Sequence, residues 1–153
     1  VRGSFNKFSG TIIADEKDLS KSSTAVSIKT ASIDTRSEKR DEHLRSGDFF
    51  EVDRFPEITF ESRKLEKKKN GYEITGIFTM HGISKEITFP FTISGPVKSP
   101  WGQEIIWIQG SLWIDRGDYG LTWNKALEAG NMLVGNKVFI ELNIEAVKKI
   151  KKS

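Results

Sequence analysis

The residues best equipped for chemistry fall in one short run, Arg40-Asp41-Glu42-His43-Leu44-Arg45-Ser46-Gly47-Asp48. An imidazole between Asp41 and Asp48 has the make-up of a general base oriented by a carboxylate. A covalent mechanism would also need a nucleophile, and no Ser sits in a recognisable elbow, while Cys is absent from the chain. On a helix the same charges make caps and pairs four residues apart, such as Asp41 with Arg45. The run therefore reads as a clamp of a helix against the fold, and no catalytic residue is assigned. A lipid-modifying enzyme built on the His43 cluster is the rival reading.

The second imidazole, His81, precedes Gly82 at a turn and reads as a solvated loop residue. Two separated His without a Glu/Asp ligand pattern beside them make a poor metal set, and the missing Cys removes thiolate sites and disulfides alike. Gly117-Asp118-Tyr119-Gly120 reads as a turn rather than a phosphate loop. No metal and no cofactor is expected.

Charge is concentrated at two places. Lys67, Lys68 and Lys69 cluster at one point, and Lys148, Lys149, Lys151 and Lys152 crowd the C-terminus. With those set aside, acidic residues outnumber basic ones, so the net +3 describes a hairpin tip and a tail. A nucleic-acid binder carries its charge along a groove or stripe, so no nucleic-acid partner is expected. No apolar run approaches the roughly 18–20 residues that cross a bilayer as a helix.

The remaining signal is alternation with period two, which marks a sheet with one buried face. Tyr72, Ile74, Gly76, Phe78 and Met80 alternate with Glu73, Thr75, Ile77 and Thr79, and Ile87, Phe89, Phe91 and Ile93 with Glu86, Thr88, Pro90 and Thr92. Val138, Ile140, Leu142 and Ile144 repeat the pattern near the end. Further strands read at about 1–13, 24–33, 58–65 and 104–115, making seven. Asn70-Gly71 predicts a type I′ hairpin turn between 58–65 and 72–80. Pro96, Pro100 and Gly102 mark a break before the next strand, and Pro90 suits an edge or bulge. From Thr35 to Ser46 the reading is helical, with Thr35 and Glu38 as a capping box. A short turn over 48–52 then carries Phe49 and Phe50 towards the core or a cavity mouth.

These elements predict a single all-β domain over residues 1–153, an antiparallel, lipocalin-like up-and-down barrel with a helical excursion near residues 35–52. The wall residues expected to face a ligand are Phe60, Ile74, Phe78, Phe89, Phe91, Leu112, Ile114, Ile140 and Leu142, with Phe49 and Phe50 at the mouth. Arg116 continues the register of Leu112 and Ile114, so it meets either a polar head group or an acid such as Asp118. Small inward residues, Gly76 and Gly110, favour an open interior over a solid structural core. The 104–115 strand is apolar on both faces, and its outer stripe of Ile105, Trp107 and Trp113 is a candidate homodimer interface.

Several stretches together resemble the YceI-like family of polyisoprenoid-binding, lipocalin-like proteins. They are Gly3-Ser4-Phe5-Asn6, Ser32-Ile33-Asp34-Thr35, the 40–50 run, Phe55-Pro56-Glu57-Ile58-Thr59-Phe60, His81-Gly82-Ile83-Ser84-Lys85 and Asp115-Arg116-Gly117-Asp118-Tyr119-Gly120-Leu121. Asn136 to Val147 is similar to the family's closing strand. The resemblance implies an eight-stranded barrel, of which the family's first strand is absent here. It also implies non-covalent, non-catalytic binding or carriage of an isoprenoid or fatty amphiphile in a bacterium. The setting it implies is periplasmic or secreted, with the cytoplasm as the alternative.

Overall fold

Alternation becomes strand in the computed structural model, which describes residues 1–15, 17–124 and 134–148. In chain order the elements are β1 (Ser4–Phe5), β2 (Phe8–Ile13), β3 (Ser23–Lys29), β4 (Ile33–Asp34), α1 (Glu38–Arg45), β5 (Glu57–Lys68), β6 (Gly71–Met80), β7 (Ile83–Lys98), β8 (Glu104–Asp115) and β9 (Lys137–Val147). Seven of these strands form one antiparallel sheet in the order β2-β3-β5-β6-β7-β8-β9, strongly curled into a half-barrel. β1 and β4 make a separate two-stranded ribbon beside α1. Among the described residues the outermost strands, β2 and β9, are each paired on one side only. The Lys149, Lys151 and Lys152 part of the C-terminal cluster lies outside the described residues.

Two of the expected strands are broken, each for a visible reason. Residues 1–13 divide at Asn6, whose N–H donates to the Ser32 carbonyl at 3.3 Å. Phe5 meanwhile meets the edge of the Phe50 ring at 5.6 Å. Residues 24–33 divide at Thr30, where the chain makes a 3₁₀ turn. The Thr30 N–H donates to the Pro56 carbonyl at 3.0 Å, and its hydroxyl donates to the Phe55 carbonyl at 2.8 Å.

Other expectations about turns and caps need correction. α1 begins after Ser37, whose hydroxyl accepts from the Arg40 N–H, so Thr35 is not its cap. Thr35 instead holds Asp41, and Arg45 reaches Glu38 at 3.3 Å rather than pairing with Asp41. The β5–β6 hairpin closes where expected, but with Lys69 and Asn70 as its loop residues between the Lys68–Gly71 pair. Asn70 does not take the positive φ that a type I′ turn demands. Pro96 does not end its strand. β7 runs on to Lys98, and a register slip between Ser94 and Val97 accommodates the proline.

Pro90 sits where β7 changes partners. Its first part pairs with β6 up to Phe91, and from Phe91 onwards it pairs with β8. A residue without an N–H is cheap at such a handover. The buried core lies at the helix-bearing end, where Ile58, Phe78, Met80, Ile114, Tyr119 and Leu121 pack together. Phe50 and Phe5 close over them from the side of the ribbon.

Candidate binding site

Strand register fixes what the concave face presents. Ile28 lies opposite Ile58, Val26 opposite Phe60, and Phe60 opposite Phe78. Further along, Tyr72, Phe91, Gly110 and Leu142 form one cross-strand row, and Ile93, Ile108 and Ile144 form the next. Leu112 pairs with Ile140, and Ile114 with Val138. The nine expected wall residues, Phe60, Ile74, Phe78, Phe89, Phe91, Leu112, Ile114, Ile140 and Leu142, therefore share one surface. Val26, Tyr72, Ile93, Ile108 and Ile144 belong to it as well, and the same alternation marks them.

That surface has two parts. Towards the helix, Phe78 and Ile114 are buried in the core with Tyr119 and Leu121. Towards the other end the sheet is open, and Phe91, Ile93, Ile108, Leu142 and Ile144 are only half-buried. Among the described residues the expected lumen is thus a trough, solid at its floor and unpaired between β2 and β9. Arg2 approaches Glu141 on β9 at 3.7 Å, so the first residues bridge this gap near the helix end.

The inward glycines do not leave the empty space expected of them. A Cβ on Gly76 would stand 2.5 Å from the Phe60 ring and 2.5 Å from the Glu61 carbonyl oxygen. At Gly110 the neighbours are the Pro90 carbonyl and the Phe91 Cβ, at 3.1 and 3.2 Å. Both positions are small because aromatic residues of the next strand lie over them. Phe60 in turn packs on Phe89, with ring centroids 5.5 Å apart.

The remaining candidates are placed as follows. Phe49 is buried against His43 and Trp123, at centroid distances of 5.1 and 5.3 Å. It anchors α1, while Phe50 faces the core. Arg116 is buried at 5 % exposure. Its guanidinium donates to the carbonyls of Leu121 (2.6 Å), Gly135 (2.8 Å) and Val134 (3.4 Å). These bonds go to main-chain carbonyls and not to the Asp118 carboxylate. The side chain is spent on holding two chain segments together.

His43 contacts Asp48 at 2.8 Å and meets Trp123 edge-on at 4.7 Å. The Ser46 hydroxyl donates to the His43 main-chain carbonyl, and among the described residues no Ser or Thr hydroxyl bonds to the imidazole. His81 is not the solvated residue expected. It is half-buried at φ +55°, with Nδ1 against the Tyr119 carbonyl at 3.0 Å and its ring on Phe55. Among the described residues no group of three or more His, Asp and Glu side chains is placed to hold a metal. No described helix is long and apolar enough to cross a membrane.

Outside the trough, a groove of about 440 Å³ is lined mostly by the small outward-facing Ser9, Thr11, Ala25, Ser27 and Thr59. The outer stripe of β8 separates in two. Trp113, 66 % exposed, packs on Phe139 at 5.0 Å, whereas Ile105 sits between Val97 and Val147 at the opposite end, near Trp107.

A curled antiparallel half-barrel with a continuous apolar concave face and a helix-bearing floor is a lipocalin-like architecture. Residues 1–146 match the YceI-like domain family, and the chain belongs to that family. A UPF0312 protein of Staphylococcus aureus (strain N315) is 36 % identical over 146 residues, covering 95 % of this chain and 83 % of that one. The crystal structure of the Campylobacter jejuni YceI protein superposes with a TM-score of 0.85 at 30 % identity, covering 98 % and 86 % of the two chains. A polyisoprenoid binding domain from Saccharophagus degradans shares the fold more distantly. Its TM-score is 0.59 at 16 % identity, over 90 % of this chain and 91 % of that one.

Proposed function

We propose that the trough holds an extended isoprenoid or similar long-chain amphiphile without chemical change. The observation that carries this reading is the pair of half-buried apolar rows, Tyr72-Phe91-Gly110-Leu142 and Ile93-Ile108-Ile144. They continue the packed floor into solvent with no polar group among their side chains except the Tyr72 hydroxyl. Each methylene laid on such a surface gains roughly 0.8 kcal/mol, so a long chain binds through length alone. Shape then selects an extended tail, and the head group stays near the open end. The distant polyisoprenoid binding domain supports the same ligand class by fold alone.

The test is organic extraction of the purified protein followed by mass spectrometry, with native mass spectrometry of the intact complex. A stoichiometric long-chain lipid is the expected result. Protein that leaves its source free of lipid, and takes up none when offered a polyprenyl chain, overturns the reading.

A further inference from the structure

Strand parity sorts the charges of the open half of the sheet between its two faces. On the β5–β6 hairpin Lys64 and Lys68 fall on the convex side, and both engage the Glu66 carboxylate. They hold that carboxyl down at about 2, and Lys68 also approaches Glu73 at 4.0 Å. Lys67, opposite Tyr72, falls on the concave side instead. It closes the half-buried row Tyr72-Phe91-Gly110-Leu142 and has no ion-pair partner among the described residues. The Tyr72 ring beside it stacks on Phe91 at 5.3 Å, and its hydroxyl likewise bonds to no described residue.

The far end of the same face repeats the arrangement. Beyond the row Ile93-Ile108-Ile144 comes Ile106, paired with Ala146, and then Lys98, opposite Glu104. Glu104 is drawn to Lys148 at 3.5 Å, which leaves Lys98 without an ion pair among the described residues. Glu141 and Glu145 alternate to the convex side. Among the described residues, Glu104 is therefore the one acid that the register of β5 to β9 turns into the open half of the trough.

From this asymmetry we infer that the trough selects amphiphiles with an anionic head group, a phosphate or a carboxylate, through the field of Lys67 and Lys98. The two cations bracket the apolar rows. Their own rows meet β8 at Gly110 and Glu104, six residues and roughly 20 Å apart. A head group carried midway lies about 10 Å from each, which is the screening length at about 0.1 M salt. Inside a cleft with apolar walls the field of one sign is focused further. The inference rests on the lipid-carriage reading and adds to it the charge of the ligand.

The experiment offers the intact chain three probes of equal length, geranylgeraniol, geranylgeranyl phosphate and geranylgeranoic acid, and reads their affinities by titration calorimetry. At low salt the two acids are expected to bind about tenfold tighter than the alcohol, the tighter of them naming the head group. High salt should shrink that advantage. Lys67→Gln and Lys98→Gln should each weaken the acids about threefold, and together remove the advantage over the alcohol. Lys64→Gln, with its cation on the convex side, should leave it unchanged. Both concave lysines are exposed, so these variants retain the fold, and their melting curves check this. An alcohol bound as tightly as the acids overturns the inference and leaves lipid carriage standing. So does an advantage that survives the double variant, or one that Lys64→Gln removes equally. A chain that binds none of the three overturns both readings.

Discussion

The carboxylate of Asp41 is gripped by Thr35: Oδ1 accepts from the Thr35 N–H at 2.9 Å and from its hydroxyl. Arg40 closes the arrangement by donating through Nε to the same hydroxyl oxygen at 2.8 Å and through Nη2 to the Thr35 carbonyl at 2.6 Å. The run that invited a catalytic reading thus ties α1 to β4, with the acid inside and the imidazole outside.

That grip has a pH signature. The Thr35 hydroxyl, against the opposing effect of burial, holds the Asp41 carboxyl below its ordinary value. A lowered pKa means the contribution to stability is present above the ordinary carboxylate range and is lost as pH falls through the folded-state value. Asp41→Asn should therefore melt below wild type at neutral pH, with the gap narrowing under acid. Calorimetry across that pH range checks this, and a gap independent of pH refutes it.

Gly76 and Phe60 are similarly coupled. Because an added Cβ meets both the Phe60 ring and the Glu61 carbonyl oxygen, Gly76→Ala should cost at least about 1–3 kcal/mol, the usual range for overpacking. Phe60→Leu in the same chain should recover part of that loss by removing the ring contact. Full recovery would mean that the backbone contact with Glu61 relaxes freely. Denaturant unfolding of the two single variants and the double variant decides it.

Arg36 offers the opposite sign. It is exposed and sits at φ +64°, its N–H bound to the Asp34 carboxylate at 2.9 Å. Left-handed backbone costs a non-glycine residue roughly 1–2 kcal/mol, and glycine's extra unfolded-state entropy returns part of this. Arg36→Gly should therefore stabilise the protein by about 0.5–1 kcal/mol, seen as a rise of a few degrees in Tm. A fall in Tm would show that the arginine side chain contributes more than its backbone costs.

The architecture was legible because alternation is a direct imprint of a one-sided sheet. Ile74, Phe78, Phe89 and Phe91 face inward simply because they fall on one parity of consecutive strands. What parity cannot report is depth. It treats Phe78, locked against Tyr119, and Phe91, half-open to solvent, as equals, so a uniform lumen was the natural expectation. Gly76 misled for a related reason. A small residue signals close approach by something, and only the register shows that the visitor is Phe60 from the next strand. Arg116 and His81 were misplaced because their partners are main-chain carbonyls, at Leu121 and Tyr119, which leave no trace in side-chain spacing.

The trough itself makes the sharpest demand on neighbouring residues of one strand. Ile108 faces inward between Ile93 and Ile144, while Gln109, its neighbour, faces out between Thr92 and Asn143. A charged end at position 108 would stand among apolar chains where the tail is proposed to lie. Losing an isoleucine contact of about 1.5–3 kcal/mol, Ile108→Lys should reduce retained lipid roughly tenfold or more. Gln109→Lys, with the same charge one residue away, should retain it fully. His43→Ala should also retain it, because His43 contacts Asp48, Phe49 and Trp123 at the helix and not the trough. Quantifying extracted lipid per mole of protein for the three variants separates the outcomes. Equal loss from Ile108→Lys and Gln109→Lys would place the lipid elsewhere, and loss from His43→Ala would move the site to the helix.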